Sequence, residues 1–180
     1  MKHSLTRFAL LALPLALLAV TVNGEPWRGI VPLKSTRSDV ERMLGKPQPG
    51  NISFYVTYKL EAEEVRVEYA SKALCTQTDR CECRVPDETV LHIVVRPHTT
   101  IKFSSLAVDK SKFHPIINPQ NSNNVAYSNS DSGLMYVISH RDDLLLYVQY
   151  GSTAKDCEDV LKSTRLPKLR AERRWADKRG

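Results

Sequence analysis

Short segments of alternating apolar and polar residues recur along this chain, and they constrain its fold more than any other feature. Side chains that alternate in this way point to opposite faces of a strand, so each segment predicts one half-buried β-strand. The first group comprises residues 53–60, 65–69 and 89–96, and the second comprises 125–128, 134–139 and 144–150. Turn residues separate neighbouring segments, which favours antiparallel pairing within each group.

A short helix is predicted just before the first group of strands. Ser35 or Thr36 supplies an N-cap hydroxyl, and Asp39 suits the positive end of the helix dipole. Gly45 permits the left-handed conformation that ends many helices, and Pro47 prevents continuation. The sequence therefore specifies both ends of this helix.

The order of elements recurs in the second half of the chain. Residues 106–114 predict a helical turn and residues 115–124 predict a Pro/Asn-rich loop, after which three strand segments follow. The expected fold class is therefore α+β, with tandem units of a helix plus three antiparallel strands forming one sheet with helices on one face. Residues 25–163 are predicted to be a single domain, built from units 25–97 and 98–151.

The N-terminus has the pattern of a secretory signal peptide over residues 1–24. Lys2 and Arg7 precede an apolar run at 8–20, which is shorter than the roughly 20 residues that span a bilayer. No cysteine lies near the expected cleavage site and no later segment is apolar enough to cross a membrane, so we expect a secreted or periplasmic protein without a lipid anchor. Residues 25–33 are expected to be extended and pinned by Trp27.

Four cysteines predict two disulfide bonds in an exported chain: Cys75, Cys81, Cys83 and Cys157. Cysteines 81 and 83 are too close in sequence to pair with each other readily. Cys75 is therefore expected to pair with Cys81 or Cys83, and the remaining cysteine with Cys157, which lies in a predicted last helix at 151–163. The alternative of a zinc site lacks a Cys-x-x-Cys pair and a nearby histidine at zinc spacing.

The formal net charge of +6 is concentrated at the C-terminus. Residues 162–180 hold eight basic and two acidic residues, whereas residues 25–161 hold sixteen basic and eighteen acidic residues. The composition thus predicts a mobile basic tail at 164–180 and gives no reason to expect nucleic-acid binding by the folded domain.

No catalytic, cofactor or metal motif is recognisable in the sequence, and we predict no enzyme activity, cofactor or metal. The mature chain has four histidines: His92, His98, His114 and His140. A hydrolase reading would pair His140 with Asp142 or Asp143, but a hairpin turn is expected there and polar residues are common in such turns. The position of His92 on its strand predicts a solvent-exposed side chain.

The helix that ends in Leu44-Gly45-Lys46-Pro47, followed by an aromatic-rich hairpin, resembles the helix-plus-sheet unit of the BamE (SmpA/OmlA) family and of the tandem-repeat β-lactamase-inhibitor proteins. Three runs resemble a group of uncharacterised secreted bacterial proteins: Trp27 to Val40, Val85 to Leu91 and Tyr150 to Asp156. The resemblance covers roughly residues 27–157 and implies a fold and an exported location. It supplies no catalytic residues.

Three hypotheses for function follow. The first is a non-enzymatic interaction module whose sheet face or loops contact an extracytoplasmic protein. The second is a secreted hydrolase or thiol enzyme that uses His140, Asp142 or a free cysteine. The third is attachment to an anionic membrane or cell wall through the basic tail, whose residues include Lys168, Leu169, Arg170, Arg173, Arg174, Trp175, Lys178 and Arg179.

Overall fold

The computed structural model describes residues 26–51, 54–73, 80–117 and 123–164. The strands in these ranges are β1 (Tyr55–Lys59), β2 (Glu63–Tyr69), β3 (Val90–Pro97), β4 (His114–Ile117), β5 (Asn124–Asn129), β6 (Leu134–Ser139) and β7 (Leu144–Tyr150). Helix α1 spans Arg37–Leu44 and helix α2 spans 154–164. Short 3₁₀ turns lie at Cys81–Cys83, Phe103–Ser105 and Lys110–Lys112.

All seven strands form a single antiparallel sheet in the order β1-β2-β3-β7-β6-β5-β4. Strands β1 to β3 form one meander and strands β4 to β7 form another. The two meanders meet through their last strands, because β3 pairs with β7. The predicted α+β class is confirmed.

One face of the sheet carries the apolar core. Near α1 the buried side chains include Val40, Val56, Tyr58, Val65, Val67, Tyr69, Ile93 and Val95. Farther along the same face Phe103 packs with Val125, Ile138 and Leu145. The period-two pattern of the sequence predicts this burial, since alternate residues of each strand reach one face.

The N-terminus of α1 is capped as the sequence predicts. The Thr36 backbone N–H donates to Asp39 Oδ2 at 2.9 Å, and the Asp39 N–H donates to Thr36 Oγ1 at 3.4 Å, which completes a capping box. Gly45 ends the helix with φ of 82°.

Helix α2 begins with a second capping box, which is buried. Thr153 is 2% exposed and Asp156 is 8% exposed. The Thr153 hydroxyl donates to Asp156 Oδ2 at 2.6 Å and accepts from the Asp156 N–H at 3.0 Å. The Thr-x-x-Asp pattern therefore starts both helices, although only the second one is enclosed by the protein.

A disulfide between Cys81 and Cys157 ties α2 to the loop between β2 and β3. The S–S distance is 2.07 Å and the two cysteines are 76 residues apart in sequence. An apolar cluster forms around this bridge, where β2 ends and β3 begins, from Leu33, Ala70, Leu91, Val85, Val160 and Leu161. Cys83 is also disulfide-bonded, and Cys75 lies outside the described residues.

Two of three local expectations are wrong. Residues 27–30 form a tight turn with hydrogen bonds between Trp27 and Ile30 in both directions, because Gly29 and its neighbour adopt positive φ. Residues 106–114 contain the expected helical turn as a 3₁₀ turn at Lys110–Lys112, and His114 begins strand β4. Part of the expected loop at 115–124 belongs to strand β4, so the second meander has four strands.

The two edges of the sheet differ. At β1 the chain covers its own edge, since the Gln48 N–H donates to the Thr57 carbonyl and the Thr57 N–H donates to Asn51 Oδ1. At β4 all four residues are exposed, Ile116 and Ile117 by 55% and 61%. Pro115 removes one backbone donor from this second edge.

The expected signal peptide at 1–24 and the basic tail at 164–180 lie outside the described residues, except for Thr164. Neither helix in the described part of the chain has the length and apolarity needed to cross a membrane.

The first prediction concerns the Cys81–Cys157 bridge. Replacing both residues by alanine should lower the free energy of unfolding by about 2–4 kcal/mol, because the bridge closes a long loop in the unfolded chain. Urea denaturation measures the change. Peptide mapping of the oxidised protein should find Cys81 joined to Cys157 and Cys75 joined to Cys83, and an 81–75 bridge would contradict the pairing.

The second prediction compares the two helix caps. Thr153→Ala should lower the free energy of unfolding by about 1–2 kcal/mol, because the buried Asp156 N–H loses its acceptor and the Asp156 carboxylate loses its hydroxyl donor. Thr36→Ala removes the same hydroxyl from the exposed cap and should have a smaller effect. Equal losses for the two variants in thermal or urea denaturation would contradict the role of burial.

Candidate functional site

The sheet face opposite the apolar core, here called the open face, carries mainly polar side chains. The register places one row of residues across all seven strands: Thr57, Arg66, Val94, Gln149, Met135, Ser128 and His114. Helix α1 packs on the other side, where Val40 joins the core. Arg66 and Arg96, both on this face, are exposed.

Arginine side chains on the open face lie over tyrosine rings. The Arg66 guanidinium is 5.4 Å from the ring centre of Tyr55, and that of Arg96 is 5.7 Å from the ring centre of Tyr147. Such contacts hold the arginine stems against the sheet and keep the charged ends accessible.

Near one end of the open face, His92 of β3 binds Glu68 of β2. The Nδ1 atom of His92 is 3.0 Å from Glu68 Oε2. Tyr55 of β1 donates its hydroxyl to the other carboxylate oxygen at 3.3 Å. The two side chains are about one quarter exposed, 23% for His92 and 25% for Glu68. The interpretation of His92 as a solvent-exposed side chain is wrong.

The second ring nitrogen of His92 faces a second carboxylate. Glu82, in the 3₁₀ turn Cys81–Cys83, places Oε1 at 3.9 Å from His92 Nε2. Its other oxygen, Oε2, is 2.7 Å from Arg80 Nη2. The disulfide from Cys81 to α2 fixes this turn above the sheet, so it also positions Glu82.

Two glycines allow the backbone to approach closely beneath His92. A side chain at Gly133 would meet the Gly151 carbonyl oxygen at 2.3 Å, and a Cβ at Gly151 would lie 3.1 Å from the His92 ring. The Gly151 N–H donates to the Gly133 carbonyl at 2.7 Å. Gly133 also has φ of 70°, which a side chain would strain.

These groups surround a cleft of about 230 Å³, here called the His92 cleft. The β5–β6 turn forms one wall, and the Ala154 N–H holds that turn against the start of α2 by donating to the Ser130 carbonyl at 2.9 Å. The lining is mostly polar: Glu82, His92, Ser128, Asn129, Ser130, Gln149 and Ser152, together with Gly133, Gly151, Leu134 and Met135.

The electrostatics of the cleft follow from the Glu68–His92 contact. The hydrogen bond from His92 is the largest cause that lowers the pKa of Glu68 from its ordinary value of 4.5. Since the Glu68 carboxylate can only accept, Nδ1 of His92 carries a hydrogen and donates it to Glu68. The cleft therefore presents an oriented imidazole nitrogen beside a carboxylate oxygen.

The histidine and aspartate of the hydrolase hypothesis lie elsewhere, at the β6–β7 turn. His140 is exposed and its backbone N–H donates to Asn123. The Asp142 carboxylate accepts from the Ser139 hydroxyl at 3.0 Å, and the Asp143 carboxylate accepts from the Ser104 N–H at 3.1 Å. These contacts stabilise the turn and do not join an aspartate to the His140 ring.

The other candidate groups are also placed. His98 contacts the Glu61 carbonyl at 3.1 Å, and His114 is exposed on β4. Of the described cysteines, 81, 83 and 157 are all in disulfide bonds. In the described ranges, no three His, Cys, Asp or Glu side chains converge closely enough to hold a metal ion.

The sequence interpretation missed the His92 cleft. Glu68 and His92 are 24 residues apart, and their contact depends on the register between β2 and β3. One local signal was available: both residues occupy polar positions of strands that a hairpin pattern predicts to be neighbours.

No protein family model matches this chain, and no curated protein matches it. A solved structure of similar shape is the crystal structure of a DUF4309 family protein (YjgB) from Bacillus subtilis. The two chains are 15% identical with a TM-score of 0.49, and the match covers 72% of this chain and 88% of the other.

The third prediction concerns acid stability. The pKa of Glu68 is lower in the folded protein than in the unfolded chain. As the pH falls below about 4.5, Glu68 of the unfolded chain therefore binds a proton before Glu68 of the folded protein does. The stability that the Glu68 carboxylate contributes is lost as the pH falls through its folded pKa. Glu68→Gln should therefore destabilise the protein more at about pH 5 than at about pH 2.5. Urea midpoints at the two pH values test this, with Glu41→Gln on α1 as the control. A pH-independent difference would contradict it.

Proposed function

We propose that this protein is a secreted or periplasmic, non-enzymatic interaction module whose open face contacts a protein partner. The observation that carries the proposal is the continuous row of side chains across seven strands, on the face opposite α1 and the core. A sheet surface that spans seven strands offers a protein partner a large contact area.

The composition of the open face suits a protein interface. Arginine, tyrosine and methionine are enriched at such interfaces, and Arg66, Tyr147 and Met135 occupy this face. Acidic Glu64 lies 3.8 Å from basic Arg96, so both charge signs alternate within a short distance. Such alternation favours a complementary partner surface over a uniformly charged polymer.

The chemistry of the cysteines supports an oxidising location. A disulfide between residues 76 positions apart is typical of exported domains. It agrees with the signal peptide that residues 1–24 predict. The same bridge argues against the thiol-enzyme hypothesis, because it occupies Cys81 and Cys157.

The tandem interpretation is also a proposal, and the arrangement of the halves supports it. An isolated bridge joins Thr36 to Thr89 just before β3, and another joins Lys102 to Leu144 at the start of β7. Each bridge precedes a helical turn, α1 in one half and Phe103–Ser105 in the other. Strands β3 and β7 end the two meanders and pair antiparallel with each other, which supports the tandem interpretation.

The fourth prediction tests the open face. A photo-crosslinking residue at Arg66, expressed in the native envelope, should give a discrete crosslinked species. The same residue at Glu41, which is exposed on α1 on the other side of the sheet, is the matched control and should not give that species.

Charge reversal at Arg96 should weaken the crosslink from position 66, because the partner surface that complements Arg96 would then meet a charge of its own sign. Circular dichroism checks that each variant is folded. Identical crosslinks from positions 66 and 41, or no crosslink from folded protein at 66, would contradict the proposal.

A further inference from the structure

Arg66 lies in the charged part of the open face. Its strand, β2, runs between β1 and β3, and its register partners are Thr57 on β1 and Val94 on β3. The side chain is exposed, and its guanidinium is 5.4 Å from the ring centre of Tyr55. Arginine stays charged under all conditions in which a protein folds, so Arg66 is a permanent cation supported by an aromatic ring.

The nearest carboxylate on the same face of β2, that of Glu68, binds other groups. Its Oε1 atom accepts from the Tyr55 hydroxyl at 3.3 Å, and its Oε2 atom binds His92 Nδ1 at 3.0 Å. Tyr55 therefore acts on both charges, because its ring lies under Arg66 while its hydroxyl holds Glu68.

This part of the open face has an excess of cations. Lys59, Arg66 and Arg96 outnumber the two carboxylates, Glu64 and Glu68. Glu64 lies opposite Lys59 in register and 3.8 Å from Arg96. Among the described residues, Arg66 takes part in no hydrogen bond or ion pair. Its N–H donors are therefore available to a ligand outside the chain.

The surroundings of Arg66 distinguish between possible anionic ligands. Its partner on β3, Val94, is only 8% exposed and gives the site an apolar neighbour. The same row continues through uncharged Gln149, Met135 and Ser128. A polymer with repeated negative charge would find no cation along this stretch, whereas one carboxylate on a mostly uncharged protein surface would match it.

We infer that Arg66 binds a single carboxylate side chain, an aspartate or glutamate of the protein partner. The inference rests on the proposed function for the nature of that partner. The planar guanidinium donates two parallel N–H bonds to the two carboxylate oxygens, and the Tyr55 ring supports its other side. Glu68 has an indirect role, because its bonds to Tyr55 and His92 keep it from closing on Arg66.

The experiment uses the full mature protein, labelled with nitrogen-15, and two small probes. They are Nα-acetyl-glutamate methylamide and its uncharged isostere Nα-acetyl-glutamine methylamide. NMR follows the Nε–H resonances of the arginines, and Arg66→Lys assigns the resonance of Arg66. The glutamate probe should shift it about threefold more than that of Arg42 on α1, which already donates to Asp39 at 2.7 Å. The glutamine probe should shift neither resonance.

Salt provides a further check of the charge. Raising the salt concentration from about 20 mM to about 500 mM should weaken binding of the glutamate probe, because the site is exposed and its field is screened. Equal shifts of Arg66 and Arg42, equal shifts by the two probes, or binding that does not change with salt would overturn the inference.

Two tyrosine variants test the role of Glu68. Tyr55→Phe keeps the ring under Arg66 but removes the hydroxyl that holds Glu68, so this carboxylate competes with the probe. Binding should weaken about two- to threefold. Tyr147→Phe is the matched control, because that ring lies under Arg96 and its variant should leave binding at Arg66 unchanged. Equal effects of the two variants would contradict the inference.

A crosslinking residue at position 66 removes the guanidinium, so a second position tests the contact with the partner. The photo-crosslinking residue is placed at Thr57, which neighbours Arg66 in register. Arg66→Glu in this background should reduce the crosslink about tenfold, because two carboxylates then face each other. Arg42→Glu on α1 is the control and should leave the crosslink unchanged.

The outcomes separate this inference from the proposed function. If the crosslink from Thr57 forms and Arg66→Glu does not reduce it, the carboxylate site is wrong and the interaction face stands. If the glutamate probe binds as expected but folded protein gives no crosslink from position 57 or 66, Arg66 is a carboxylate site and the interaction face is wrong.

Discussion

The pairing of β3 with β7 holds the two meanders in one sheet. Three residue pairs form this junction: Ile93 with Tyr150, Val94 with Gln149, and Val95 with Val148. Along these pairs, residues face the core and the open face in turn. On the core side the ladder joins the two apolar clusters, and on the other side it continues the row of residues across the open face. Without it, β7 would not bring Gln149 and Gly151 beneath His92, and the cleft would lose its floor.

The Cys81–Cys157 bridge adds a second link between the halves. It joins the loop after β2 to the helix after β7, and the apolar groups of α2 pack around it. Its effect on the site is indirect, because the bridge holds the turn that carries Glu82. Stability and the geometry of the cleft are thus coupled through one covalent bond.

Signals within a few residues predict much of this fold. The predicted segments 134–139 and 144–150 coincide with β6 and β7, and the cap at Thr36 and the end at Gly45 are where the sequence places them. Strand β4 was missed because four residues with a proline carry too little alternation to be recognised. The His92 cleft was missed because its groups come from separate strands and a disulfide-linked turn, and strand register decides which of them meet.

The hydrogen bonding at the two sheet edges affects how molecules associate at high concentration. One edge is already hydrogen-bonded to the protein's own Gln48 and Asn51, and the other includes Pro115, which interrupts its row of backbone donors. A strand from another molecule therefore finds no complete ladder to extend, despite the exposed isoleucines of β4. Both features should limit growth of the sheet through its edges when molecules crowd together.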